Sequence, residues 1–237
     1  MGDCCASVKG WASSNGFDYL LEGDALFARL PTALRERFAS QAVVLSDLAR
    51  LLWLKEKLES GYQRAIWCDA DLLVFDDFVP RNSGDCFGRE CWIQRSGSKL
   101  RRYRKIHNAW LQFEVGSTTL DFYIDRAQAL LKRADSPVVP QFIGPKLLTA
   151  WHNIVAFPVE ERVGMLSPLV MYELLQGGDR ALQMLRDGHG QALCALNLSA
   201  SFENRASDGV LHDAQDYQRL VDELSFGALR IRLRGGS

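Results

Sequence analysis

Hydrophobic positions follow helical spacing in two long stretches of the chain. From 42 to 58 apolar residues recur every three or four positions, which buries one helix face, and Gly61 ends the predicted helix. The positions concerned are Val44, Leu48, Leu51, Leu52 and Leu58. The same spacing predicts a second helix over 117–133, from Leu120, Ile124, Ala127 and Leu131. Both helices are expected to pack one face against a core.

Shorter segments complete the predicted elements. Further helices are expected over 4–12, 32–38 and 145–151. Short apolar runs predict strands over 17–21, 64–68, 107–113, 154–157 and 194–198. Residues 81–105 are predicted to be irregular, with the basic run 99–105 on a solvated loop. The mixture of helices and strands indicates an α/β fold. Because no stretch resembles a linker, one domain over 1–237 is expected.

Composition and charge limit the classes of partner and the compartment that can be expected. With 28 basic and 29 acidic residues the formal net charge is -1, so the chain lacks the positive field that favours nucleic acid. No apolar run approaches the roughly 20 residues of a membrane-spanning helix, which leaves peripheral contact of the basic run 99–105 with phospholipid headgroups. The six cysteines form no CxxC pair and fit a reducing compartment, so a cytoplasmic location is expected.

Two acidic residues follow the strand predicted over 64–68. Asp69 and Asp71 are two positions apart, and residues i and i+2 of a strand project to the same side, so both carboxylates can face one site. At the end of a sheet strand they would line the crevice in which α/β folds bind ligands. Carboxylate oxygens suit Mn²⁺ or Mg²⁺, which bridge to substrate phosphates. The alternative interpretation is a pair of solvated loop residues.

A second polar pair lies on the helix that precedes this strand. Asp47 and Arg50 are three residues apart and share a helix face. An intrahelical ion pair on a solvated surface is the simpler explanation. The surrounding residues 43–54 are mostly apolar, however, which favours a position at a cleft.

Together these motifs resemble a known family. The sequence SDLAR at 46–50, an apolar strand and DAD at 69–71 resemble the glycosyltransferases with a DXD-containing sugar-binding region, relatives of the mannosyl- and α-galactosyltransferases. Further stretches match the pattern of that family in the same order, namely 11–19, 107–109 (HNA), 144–149 (GPKLLT) and 195–202 (ALNLSASF). The resemblance covers most of residues 11–202. It implies a GT-A-like, Rossmann-type domain that binds a nucleotide sugar, with a mixed sheet flanked by helices.

The resemblance implies roles for individual residues. Asp47 and Arg50 are expected to contact hydroxyls of the donor sugar, and Asp69 is expected to lie near its ribose and sugar. Asp71 is expected to be the more direct ligand of Mn²⁺ or Mg²⁺, with Asp69 beside it. Asn108 is expected to help position the donor, although a strand-end asparagine also serves simply to bond nearby backbone.

The later stretches extend the expected site and also depart from the family. The turn at Gly144 is expected to shape the acceptor side, and the Ser201 hydroxyl is expected to serve the diphosphate. Asn197 stands where the family has a histidine that completes the metal shell, and as a third ligand its neutral amide would weaken cation binding. The strand with which the family usually begins is also absent. Either the true start lies upstream, or a sheet edge and part of the base pocket are exposed.

The sequence therefore predicts an enzyme that transfers a hexose from a nucleoside-diphosphate sugar to a glycan, glycolipid or other acceptor. The resemblance implies dependence on a metal ion and retention of anomeric configuration. Two alternatives stay open. A non-catalytic nucleotide-sugar-binding module fits the absent strand and Asn197. A haloacid-dehalogenase-type phosphatase also has Asp-x-Asp after a strand, although Leu72 and Leu73 follow here instead of a Gly-Thr type turn.

Overall fold

A computed structural model describes residues 2–234 of the chain. The helices are α1 (Gly2–Ser14), α2 (Thr32–Arg37), α3 (Ala42–Glu59), α4 (Thr118–Arg133), α5 (Pro145–Val155), α6 (Pro168–Gln176), α7 (Arg180–Arg186), α8 (Ala214–Phe226) and α9 (Leu229–Arg234). The strands are β1 (Arg64–Cys68), β2 (Leu72–Val74), β3 (Cys86–Ser96), β4 (Lys99–Glu114), β5 (Val159–Glu160), β6 (Val163–Met165) and β7 (Ala195–Asn197). Two 3₁₀ helices cover Asp24–Arg29 and Ala200–Phe202.

The strands form two mixed sheets. The larger sheet has the order β1-β4-β3-β5, antiparallel except for the parallel pair β3 and β5. The smaller sheet has the order β2-β7-β6, in which β2 is antiparallel and β6 parallel to β7. The predicted α/β class with mixed pairing and flanking helices is confirmed at this level. The strands are divided between two sheets, where one sheet was expected.

The hairpin of β3 and β4 corrects the prediction for residues 81–105. These strands pair from Cys86 opposite Gln112 to Ser96 opposite Lys99, so the basic run 99–105 is part of β4 and not a solvated loop. The prediction failed because this half of β4 carries charged side chains at successive positions, which hides the alternation of a strand. Backbone pairing with β3 holds the segment extended in spite of that pattern.

Two predicted strands are also wrong. Residues 17–21 have no regular secondary structure and belong to neither of the two described sheets. Residues 154–157 do not form a strand, because α5 continues to Val155 and Ala156 ends it in the left-handed conformation with φ of 51°. The predicted helices over 4–12, 32–38, 42–58, 117–133 and 145–151 are confirmed as α1 to α5.

Helices α1 and α3 lie on opposite faces of the large sheet where it ends at β1. Ala65 and Trp67 pack with the apolar face of α3, whereas Ile66 and Cys68 pack with Trp11 of α1. This alternation is the normal consequence of successive side chains pointing to opposite faces of a strand. It places every second residue of β1, and any residue that continues the same alternation, against α3.

Strand β1 forms an open edge of the large sheet. Asp69 N–H donates to the Ala109 carbonyl and Val115 N–H donates to the Gln63 carbonyl, so the odd-numbered residues bond to β4. The backbone groups of the even-numbered residues of β1 therefore face away from β4. They have no hydrogen-bond partner in the part of the chain that the structure describes. An exposed sheet edge was one of the two alternatives that the sequence left open, and β1 is the edge strand of the large sheet.

Among residues 2–234, no helix combines the length and the apolar character that crossing a membrane requires.

We expect Gly88→Ala to destabilise the fold. Gly88 lies at a register shift in β3, and a Cβ atom there would lie 2.1 Å from Cε1 of the fully buried His107. Overpacking of this kind costs about 1–3 kcal/mol, so the free energy of unfolding in urea should fall by about that amount. Gly10→Ala is the control, because Gly10 lies in α1 with no neighbour within 4 Å, and it should raise stability by up to about 1 kcal/mol. Equal effects of the two variants would contradict the packing argument.

Candidate functional site

The residues Asp69, Ala70 and Asp71 form a turn that carries the chain from one sheet to the other. Strand β1 ends at Cys68, Leu72 N–H donates to the Asp69 carbonyl at 2.9 Å, and β2 begins in the smaller sheet. The prediction that both aspartates continue one strand is therefore wrong. Asp69 belongs to the end of the large sheet, and Asp71 to the start of the small one.

Arg50 connects helix α3 to this turn. Its Nη1 lies 2.8 Å from Oδ1 of Asp69, and its Nη2 lies 3.1 Å from Oδ1 of Asp47. The guanidinium also lies 5.1 Å from the centre of the Trp67 ring, and Trp67 Nε1 donates to Oδ1 of Asp69 at 2.5 Å. The predicted residues of the two motifs thus converge. Their meeting follows from the alternation of β1, which turns Trp67 and then Asp69 toward α3.

A cluster of buried polar residues contacts Arg50 on the side away from the turn. Asn108 on β4 donates from Nδ2 to Oδ1 of Asp47 at 2.7 Å, and its carbonyl accepts from Nη1 of Arg50 at 3.0 Å. Gly144, just before α5, closes over this pair, since a Cβ atom there would lie 2.6 Å from Oδ2 of Asp47. Asp47 and Arg50 are only 3% and 6% exposed. The structure thus brings Asp47, Asn108 and Gly144 together beneath Arg50, and a direct contact of Asp47 with a sugar stays a prediction.

Burial sets the protonation behaviour of these groups. Desolvation raises the pKa of Asp47 to about 6, against the opposing effects of Arg50 and Asn108. Burial works against the charged form of Arg50, but the negative charges of Asp69 and Asp47 outweigh it and raise the pKa of the guanidinium. Desolvation, with the nearby charge of Asp69, also raises the pKa of Asp71.

Asp71 is held by the segment that follows β7. Its Oδ1 accepts from Nδ2 of Asn197 at 2.6 Å, and its Oδ2 accepts from the backbone N–H of Ala200 at 2.9 Å. Its carbonyl accepts from Leu198 N–H at 2.9 Å. Ser201 is the next residue after Ala200 and is exposed. The structure therefore brings the predicted residue Asn197 into contact with Asp71, whereas a role of the Ser201 hydroxyl at this turn stays a prediction.

A pocket follows the open edge of β1 to this turn. The residues that line it come from β1, from the two helices beside β1 and from the irregular segment after α1. They include β1 itself, Val8, Trp11 and Ala12 of α1, Trp53, Leu54 and Lys57 of α3, the segment 17–22, and Asp69 with Ala70. The outward backbone groups of Ile66 and Cys68 lie on this edge and offer donors and acceptors beside an apolar wall. Such a pocket suits a flat ring with polar edges, and it ends at the acidic turn.

The two aspartates fit a divalent cation in part. No described residue donates to Oδ2 of Asp69. A carboxylate has about four lone-pair positions, so Asp71 can accept further bonds besides those from Asn197 and Ala200. Mg²⁺ is commonly bound by one or two carboxylates together with substrate phosphates. Asn197 does not fit as a third ligand, because its amide nitrogen faces Asp71. Within residues 2–234 no group of three or more His, Cys, Asp or Glu side chains is placed to hold a metal ion.

Sequence reasoning missed two groups of this site. Trp67 lies two residues before Asp69, and the alternation of a strand was the signal that it shares the face of Asp69. The N–H of Ala200 carried no signal, because a backbone donor has no residue type and its position depends on the turn after β7. Residues 17–21 were predicted as a strand, and they lie instead in the irregular segment 17–22 that lines the pocket.

Comparison of the chain with protein-family models, with curated proteins and with solved structures finds no match.

We expect Arg50→Met to destabilise the protein more at pH 8 than at pH 5. The variant leaves Asp47 buried without its cation, a change that costs about 3–5 kcal/mol. Arg50 lowers the pKa of Asp47, so removing Arg50 should raise that pKa above 6. Between pH 5 and pH 8 the folded state then binds a proton at Asp47 that the unfolded state has released. Stability then falls as pH rises through this range.

Urea unfolding at both pH values measures this difference. Arg126→Met is the matched control, because Arg126 pairs with the exposed Asp125 and should change stability by less than about 1 kcal/mol. A loss for Arg50→Met that is the same at pH 5 and pH 8 would show that Asp47 is not the group left unpaired.

Proposed function

We propose that this protein is a glycosyltransferase of the GT-A type, which transfers a hexose from a nucleoside-diphosphate sugar to a glycan or glycolipid acceptor. The observation that carries the proposal is the hydrogen-bonded path from Asn108 through Asp47 and Arg50 to Asp69, beside Asp71. It unites, at one turn, the residues that the sequence resemblance had assigned to a single donor site.

The charge of the site supports a requirement for a cation. Asp47, Asp69 and Asp71 are three carboxylates against the single guanidinium of Arg50, so a diphosphate would meet a repulsive field. Asp69 and Asp71 would hold Mn²⁺ or Mg²⁺, which supplies Lewis-acid stabilisation of the charge on the departing diphosphate. The residues of the chain supply the rest of the site, through position and hydrogen bonding.

Each residue then has a defined task in transfer. The bond between the anomeric carbon and the diphosphate oxygen breaks, the acceptor hydroxyl oxygen bonds to that carbon, and the hydroxyl proton leaves with the diphosphate. Arg50 holds Asp69 in place, while Asp47 and Asn108 fix Arg50. The exposed hydroxyl of Ser201 serves the diphosphate, and Gly144 allows α5 to close over the cluster. Such fixed geometry favours reaction by removing the need to reorganise during it.

The pocket along β1 is where we assign the nucleoside. The outward N–H and C=O groups of Ile66 and Cys68 match the alternating acceptors and donors on the edge of a pyrimidine or purine. Trp67 and Tyr19 contribute aromatic surface to the same pocket. The pocket ends at Asp69, so a base in it has its ribose and diphosphate directed toward the acidic turn.

The acceptor and the cellular compartment are assigned from residues outside the site. Lys99 and Arg101 on β4 are exposed, and they support an anionic or lipid-linked acceptor with peripheral membrane contact. All six cysteines are free thiols, which supports the cytoplasm as the compartment.

A nucleotide-sugar-binding module without catalysis is the second candidate, and the inward-facing amide of Asn197 is the observation that favours it. The phosphatase alternative has less support. A phosphatase of that type requires a later acidic pair that binds Mg²⁺ together with the first aspartates. Among the described residues, no group of three or more His, Cys, Asp or Glu side chains is placed to hold a metal ion.

Thermal unfolding in the presence of a panel of nucleotide sugars tests the donor site. A ligand at 100 times its dissociation constant adds about 2.7 kcal/mol of stability, which shifts the midpoint by several degrees. We expect at least one nucleoside-diphosphate sugar to do so with Mn²⁺ present, and release of free nucleoside diphosphate on addition of acceptor to show transfer. Stabilisation without transfer would favour the binding module, and no stabilisation by any donor would overturn the proposal.

Asp71→Asn and Asp69→Asn should each abolish transfer and the stabilisation that Mn²⁺ confers together with a nucleotide sugar. Both remove a negative charge from the turn while keeping the shape of the side chain. Asp125→Asn is the matched control, because this substitution removes the same charge from a different surface. The Asp125 side chain lies on α4 and is 64% exposed. The measurements are initial rates and thermal midpoints. Full activity in Asp71→Asn would show that the acidic turn is not the site.

A further inference from the structure

One face of the hairpin of β3 and β4 carries aromatic and charged side chains beside the 3₁₀ helix Ala200–Phe202. Glu90 on β3 lies opposite Lys105 on β4 in the antiparallel ladder. Trp92 lies opposite Tyr103, two positions further along the same pair of strands. Directly opposite residues, and residues two apart on one strand, project to the same face of a sheet. These four side chains therefore share one face of the hairpin.

Trp92 and Phe202 form an aromatic pair on this face. Their ring centres lie 5.5 Å apart with the planes tilted by 41°, and both side chains are half-buried. The face of an aromatic ring carries partial negative charge, which attracts the C–H groups on the apolar side of a sugar ring. The pair thus offers an aromatic surface on which a flat ligand with C–H groups can stack.

Glu90 is a buried carboxylate whose hydrogen bonds are incomplete. Its side chain is 6% exposed, and among the described residues only Lys105 donates to it, from Nζ to Oε1 at 3.3 Å. Desolvation raises the pKa of Glu90, against the opposing effect of Lys105. A carboxylate has about four lone-pair positions, so Glu90 can accept further hydrogen bonds from the hydroxyl groups of a ligand. Those bonds would offset the cost of burying its charge.

The aromatic pair is connected to the acidic turn but lies apart from the pocket along β1. Phe202 ends the 3₁₀ helix that begins at Ala200, and the N–H of Ala200 donates to Oδ2 of Asp71 at 2.9 Å. Among the described residues that line the pocket along β1, none belongs to β3, β4 or this 3₁₀ helix. The face of the hairpin therefore offers a second binding surface next to the same turn.

We infer that this face binds a saccharide, with one sugar ring stacked on Trp92 and Phe202 and with sugar hydroxyls donating to Glu90. The inference rests on the proposed function for one point only, which is that the bound saccharide is the acceptor. A sugar ring matches both parts of the surface, because it has an apolar side and hydroxyl donors at its rim. An acyl chain would cover the rings and leave Glu90 without a donor, which is costly for a buried carboxylate.

Saturation-transfer difference NMR on the unmodified, nucleotide-free protein provides the first test. The probes are lactose, maltose and mannobiose, which present galactose, glucose and mannose rings. We expect at least one of them to bind saturably with a dissociation constant in the millimolar range, and to receive saturation at the C–H protons of one ring. No saturable binding of any of the three would overturn the inference.

Two variants with matched controls provide the second test. Phe202→Ala removes one ring and should weaken saccharide binding at least about tenfold, whereas Phe226→Ala, at a residue that is 94% exposed on α8, should leave it unchanged. Glu90→Gln keeps the shape of the side chain and should weaken binding about fivefold, because hydrogen bonds to a charged group are the stronger ones. Glu36→Gln is its control, since Glu36 is exposed on α2.

Far-ultraviolet circular dichroism checks that the variants fold, and if Phe202→Ala does not, Glu90→Gln decides the question. Saccharide affinity in the folded variants equal to that of their controls would overturn the inference. Failure of the proposed function has a different signature, namely saccharide binding that depends on Phe202 and Glu90 without any sugar transfer. Where transfer occurs, Phe202→Ala should raise the KM for the acceptor and leave the KM for the nucleotide sugar unchanged, and an unchanged acceptor KM would overturn the assignment of this face to the acceptor.

Discussion

The ion pair between Arg50 and Asp69 is the interaction on which the site depends. It joins a helix to the end of a strand, with the Arg50 side chain only 7% exposed and the Asp69 side chain 23% exposed. A buried guanidinium needs its full set of acceptors, and here these are two carboxylates, two main-chain carbonyls and a serine hydroxyl. Helix α3, strand β1 and strand β4 are therefore fixed relative to one another by polar contacts as well as by packing.

The acidic turn gains its shape from the division of the strands into two sheets. Asp69 is held by groups from the large sheet and α3, whereas Asp71 is held by the segment after β7 of the small sheet. Neither sheet alone supplies both carboxylates with partners. The distance between the two acids is thus a property of how the sheets meet, and the apolar contacts of Leu72 and Leu73 with different core clusters maintain that junction.

Much of this arrangement could be predicted from the sequence, for identifiable physical reasons. Long amphipathic helices such as α3 and α4 show their buried face directly in the spacing of leucines, and the polar pair on α3 stood out against that face. The hairpin of β3 and β4 was missed because its outer half alternates poorly and is held by backbone bonds that leave no trace in side-chain type. Hydrogen-bond partners of single residues, such as Trp67 for Asp69, required knowledge of where the strand ends.

The unpaired side of β1 has a consequence for the behaviour of the protein in concentrated solution. An exposed strand edge is a template on which another chain can form a ladder, and long flat edges of this kind lead to aggregation. Here residues of α1, α3 and the segment 17–22 line the pocket along this edge. A strand from a neighbouring molecule would have to displace them before it could pair with β1, so they protect the edge while the pocket beside it can still take a small molecule.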